Sequence, residues 1–126
     1  MQTTLLIALG GALGAVTRFF LHTSVQRYSV SGFPLGTLVV NVLGSFLIGI
    51  AFVVFVEKIQ IAEQWRAIVI IGFLGAMTTF STFSLDALLL LEQGHYNSAL
   101  LYILSSVFVC LIAAFAGLQL ARLILI

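Results

Sequence analysis

The chain has 126 residues, 62% of them hydrophobic and 7% charged, and five Lys and Arg against four Asp and Glu leave a net charge of +1. A soluble domain carries about 25% charged residues, and a short chain has proportionally more outside to cover with them. A mean hydropathy of +1.26 therefore excludes a soluble globule or a disordered chain. The single cysteine excludes a disulfide scaffold and is too few for a metal site built of several thiolates, and the balanced charge excludes a nucleic-acid binder. The composition predicts an integral membrane protein.

In chain order, the first apolar run starts near Thr3 and continues through Phe19, Phe20 and Leu21. No basic residue precedes it, which speaks against a cleaved signal peptide. Gly10 and Gly14 form a small-xxx-small face of the kind that lets helix backbones approach closely in lipid. Arg18, near the end of this run, reads from the sequence alone as a snorkelling interfacial anchor. Pro34, with Ser29, Ser31 and Gly32, marks a turn before the second run. No ionisable side chain lies between Arg27 and Glu57 or between Arg66 and Asp86, and only His95 lies between Glu92 and Arg122. Each interval is near or above the ~20 apolar residues that cross a ~30 Å hydrocarbon core. The prediction is one all-α domain over 1–126 with spanning helices at 3–21, 35–56, 65–91 and 98–124. A mixed-charge connection at 57–64 and one at 92–97 built around Gly94 join the last three.

Four helices put Lys58, Arg66 and Arg122 on one side of the membrane and Arg18 and Arg27 on the other. So small a bias leaves two readings under the positive-inside rule. Either one or two charges fix a single orientation, or the chain inserts both ways and opposed copies pair as an antiparallel dimer, as inverted repeats do in larger transporters.

The third run contains Gly72-Phe-Leu-Gly-Ala-Met-Thr-Thr-Phe-Ser-Thr-Phe-Ser84. Its two glycines and the β-branched Thr78, Thr79 and Thr82 weaken a helix. One reading is a continuous helix whose hydroxyls bond back to the preceding turn. The density of glycines and hydroxyls favours the other, a broken helix, whose freed backbone groups need protein or ion partners at membrane depth. Carbonyls near Gly75 and Thr78 would then face a small cation, and the helix start after Thr79 would face an anion. Phe80 and Phe83 share a face, and each ring has a positive edge that an anion can touch; packing is the plainer role for both.

In the second run, Asn41 brings two amide donors to membrane depth, with Thr37 and Ser45 one turn to either side. It reads as a pore donor or as glue between helices. Tyr102, Ser106 and Cys110 continue a weakly polar stripe along the fourth run at four-residue spacing. Donors and hydroxyls, with no carboxylate deep in the first or second helix, favour a dehydrated anion over a cationic substrate.

Gly-Thr-Leu-Val-Val-Asn at 36–41, the 72–84 run and Gly-Gly-Ala-Leu-Gly-Ala-Val-Thr-Arg at 10–18 together resemble the Fluc family of bacterial fluoride channels, over essentially the whole chain. The resemblance implies a dual-topology antiparallel homodimer in the bacterial inner membrane, with two fluoride pores and a broken third helix. It implies a structural, non-transported Na+ held by main-chain carbonyls at Gly75 and Thr78 of each subunit. It assigns Asn41, Phe80, Phe83, Ser81, Thr82, Tyr102, Ser106 and Cys110 to the fluoride pathway, with Arg18 and Asp86 at its vestibules. Cys110 departs from the family pattern, standing where a serine is common, and a thiol is a weak donor. The function implied is passive escape of fluoride from the cytoplasm, without enzymatic chemistry.

The alternative is a small multidrug-type exporter of the same four-helix, dual-topology architecture. It needs an intramembrane carboxylate in the first helix to exchange protons for a cation, and residues 3–17 contain none.

Overall fold

The computed structural model of the protein describes residues 1–58 and 63–125. The centre of the predicted 57–64 connection, residues 59–62, lies outside them. Among the described residues the chain is helical without a strand, and four helices are long and apolar enough to cross a membrane. Helix α1 spans Gln2–Gln26 and α2 spans Leu35–Lys58. The third span, Glu63–Glu92, comprises α3 over 63–77 and α4 over Phe80–Glu92. Helix α5 spans Tyr96–Leu125.

Helix α1 runs five residues beyond the predicted Leu21, and Gln26 explains why. Its amide accepts the backbone N–H of Gly36 at 2.8 Å and donates to the carbonyl of Phe33 at 3.0 Å. The last turn of α1 thus satisfies an otherwise orphaned N–H in the first turn of α2, where Pro34 offers no side-chain cap. Between α4 and α5, Gly94 adopts φ +78°, the left-handed conformation that ends a helix at low steric cost.

Two stretches depart from α-helical pitch. Val53–Lys58 at the end of α2 and Ala67–Leu74 within α3 are π-helical. Periodicity at 3.6 residues per turn carries no signal for such a turn. The second stretch is the surface on which α1 packs. A side chain at Gly14 would strike the carbonyl oxygen of Phe73, and one at Gly10 the carbonyl oxygen of Ile68. The small-xxx-small face of α1 is therefore used within the chain, against α3. A second close crossing joins α2 to α5, where Gly49 abuts the Ala114 carbonyl and Gly117 abuts that of Phe46.

Leu5, Leu9, Leu13 and Phe20 on α1 and Leu101, Phe108, Ile112 and Phe115 on α5 are exposed. In water such faces would be an aggregation hazard; against acyl chains they are the expected outer surface. At one end of the bundle Arg122 forms a two-point ion pair with Glu57, with Nε donating to Oε2 at 3.0 Å. This ties the end of α5 to the end of α2.

Candidate functional site

Regular helix stops at Met77. Thr78 (φ −84°, ψ 154°) and Thr79 (φ −151°, ψ 118°) are extended, and α4 begins at Phe80. Thr79 caps the new helix: its Oγ1 accepts the Thr82 N–H at 3.2 Å and donates to Thr82 Oγ1 at 3.1 Å. A side-chain oxygen at this position satisfies one of the orphan donors of a helix start.

Asn41 reaches the same place from α2. Its Oδ1 accepts the Thr79 N–H at 2.8 Å and its Nδ2 donates to the Thr79 carbonyl at 3.0 Å. One of its two amide hydrogens is thereby committed to the protein. Asn41 is thus a backbone clamp as well as a polar lining residue, so the two alternatives read from the sequence are combined in one side chain.

These diversions leave carbonyls free. The N–H groups four residues beyond Gly75 and Thr78 belong to Thr79 and Thr82, and they bond Asn41 and Thr79 Oγ1 respectively. Among the described residues no backbone N–H replaces them, and Gly75 lies at the exposed surface of the single chain. Uncommitted main-chain oxygens on an exposed face suit a hard cation, so the residues present fit the Na+ that the resemblance implies.

Two cavities flank the break and share Thr79. The larger, about 440 Å3, is lined by Asn41, Ser45, Thr78, Phe80, Phe83, Ser106 and Cys110, with apolar neighbours. The smaller, about 260 Å3, is lined by Arg18, His22, Thr37, Thr79 and Thr82. Among the described residues no carboxylate lines either one. His22 in that lining is a residue that the sequence analysis did not single out. Its spacing of four from Arg18 was the available signal, since that spacing puts both on one face.

The phenyl rings of Phe80 and Phe83 lie 5.2 Å apart between centroids, tilted by 48°. Phe83 is buried and also meets Tyr102 at 5.3 Å, whereas Phe80 is 77% exposed in the single chain. Packing within the chain thus accounts for Phe83 but not for Phe80.

The expected α5 stripe divides. Ser106 and Cys110 line the larger cavity, but the fully buried Tyr102 lines neither cavity and donates its hydroxyl to Asp86 Oδ2 at 3.2 Å. Thr37 donates to the same oxygen at 2.7 Å. Asp86 is half-buried, its carboxylate engaged by two hydroxyls. Ser81 is exposed, lines neither cavity, and has its Oγ 3.2 Å from Thr79 Oγ1. Ser84 is used up locally on the Phe80 carbonyl.

Fold and site together define a multi-pass membrane protein with a line of polar groups through its centre. Residues 5–118 match the family described as CrcB-like protein, Camphor Resistance (CrcB), and the chain belongs to that family. It is 52% identical over 119 residues, 94% of each chain, to a protein of Hahella chejuensis named fluoride-specific ion channel FluC. A protein of the same name from Magnetococcus marinus is 48% identical over 118 residues, covering 94% of this chain and 96% of the relative. Another, from Pseudoalteromonas translucida, is 50% identical over 115 residues, or 91% and 96%. The resemblance read from the three motifs is upheld over nearly the full length.

Proposed function

We propose that the chain is a fluoride-selective channel of the bacterial inner membrane, passing fluoride out of the cytoplasm down its gradient. The observation that carries this reading is the lining. Uncharged donors and one guanidinium run from Arg18 through Thr82 and Thr79 to Asn41, Ser106 and Cys110, without a carboxylate among them. A cationic substrate would find no counter-charge there, whereas an anion finds hydroxyls, an amide and ring edges. The names of the relatives supply which anion.

Fluoride is small and strongly hydrated, so the lining has to replace most of its water. Thr82, the second amide hydrogen of Asn41 and Ser106 are among the donors that line the two cavities. The Phe80 and Phe83 edges extend that replacement without a buried cation. None of these contacts is strong alone, which keeps the ion mobile. In this reading Tyr102 holds Asp86 in place rather than touching the ion, and Ser81 acts through Thr79.

The functional unit is an antiparallel, dual-topology homodimer with two pores, its third helix broken at Thr78 and Thr79. The weak charge bias supports it, as does the exposure of Phe80 and Gly75 in a single copy. A Na+ between the two copies, held by the carbonyls of Gly75 and Thr78, would supply a fixed positive charge and cross-link the breaks. Exchanging Na+ for a large organic cation on both sides of the membrane is expected to lower fluoride release and shift the protein toward monomer on size exclusion. Unchanged release and an unchanged elution volume would remove the cation from the account.

The decisive experiment is ion release from liposomes holding the purified protein, followed with fluoride and chloride electrodes. Fluoride should leave without ATP or a proton gradient while chloride stays; equal release of both defeats the selectivity. In the same assay Phe80→Ile and Phe83→Ile are expected to cut fluoride release at least about tenfold with the dimer intact. Wild-type rates in both would return the rings to packing.

A further inference from the structure

Cys110 is the single cysteine of the chain and is unpaired. It lines the larger cavity, where a lone thiol would mean little. One turn before it, however, Ser106 lines the same cavity, is 7% exposed, and has an Oγ with no hydrogen-bond partner among the described residues. A hydroxyl buried at membrane depth without a partner is costly. Its partner must come from whatever fills the cavity. At about 440 Å3 the space holds far more than one water. An oxygen that calls for an occupant and a soft sulfur thus sit one turn apart on one face of α5.

We propose that Cys110 is a binding site for a soft, thiophilic metal of the mercury(II) class, with Ser106 Oγ beside it, and that occupation closes the cavity to ions. The closing step rests on the reading that this cavity carries fluoride. Soft sulfur selects soft metals over hard ones. The metal enters as neutral mercuric chloride, which the cation-excluding lining does not repel. The Cys110 S–H bond breaks and an S–Hg bond forms; one chloride leaves the metal, and the thiol proton passes to buffer. No electron is transferred. The bound chloromercury group then occupies the cavity that Asn41 and Ser106 also line.

The test uses the whole protein in liposomes in a nitrate medium, titrated with mercuric chloride. Mercury per chain is read from the intact mass and fluoride release from an electrode. One mercury per wild-type chain, a fall in release of at least about tenfold, and recovery with dithiothreitol are expected. Cys110→Ser should take up no mercury and keep its own starting rate on addition; Cys110→Ala serves if the serine variant fails to assemble. A wild-type chain that takes up no mercury overturns the site. Mercury bound with release unchanged, or equal inhibition of the cysteine-free variant, overturns the closure. Mercury bound by a protein that never released fluoride supports the metal site and defeats the channel reading instead.

Discussion

Replacing Asn41 by alanine is expected to stop fluoride release and to lower the thermal stability of the assembled protein. The change strips the partner from the Thr79 N–H, held at 2.8 Å, and removes the side-chain donor 3.0 Å from its carbonyl, which as the helix N-cap keeps its bond to the first turn. Each buried backbone group left without a partner costs about 1–3 kcal/mol, and lipid offers no substitute. The same substitution removes an amide donor from the larger cavity. Asn41→Asp separates the two roles. A carboxylate still accepts from the Thr79 N–H but cannot donate to its carbonyl, and it sets a negative charge on an anion path. It should therefore lose release while recovering part of the stability lost in the alanine variant. Release by Asn41→Ala at the wild-type rate, measured with a fluoride electrode, would show that the clamp and the route are unconnected.

Gly14→Leu is expected to prevent assembly altogether. A Cβ at Gly14 would overlap the carbonyl oxygen of Phe73, an atom of the backbone that cannot turn aside as a side chain would. Overpacking a tight contact costs about 1–3 kcal/mol where side chains can shift, and a rigid backbone resists more. Helix α1 would have to part from the π-helical stretch of α3. The expected readout is loss of the monodisperse peak on size exclusion in detergent. Leu13→Ala, one residue away on the exposed face, should elute as wild type. A monodisperse Gly14→Leu protein would refute the crossing.

The sequence announces the spans because long stretches without a Lys, Arg, Asp or Glu separate Arg27 from Glu57, Arg66 from Asp86 and Glu92 from Arg122. Of the residues that lower helix preference at the break, Thr78 and Thr79 are the extended ones, whereas Gly72 and Gly75 stay helical. The division of labour beyond the break is not legible. Thr37, Asn41 and Ser45 recur at four-residue spacing, which predicts one shared face. Yet Thr37 bonds Asp86, Asn41 bonds Thr79 and Ser45 lines a cavity. Spacing fixes the side of a helix and leaves open which neighbour meets each rung. Tyr102 follows the same lesson, drawn off the Ser106 and Cys110 stripe by the carboxylate of Asp86. The π-helical turns escape entirely, because a widened turn is settled by what packs against it.

The paired bonds between Asn41 and Thr79 reproduce inside a helical protein what a neighbouring strand does in a sheet. One extended residue gives its N–H and takes at its carbonyl from a single edge, here lent by an amide side chain. A sheet rung of this kind fixes register: sliding α2 by one residue past the break would sever both bonds at once and leave nothing to replace them. The second span and the break must then move as one piece.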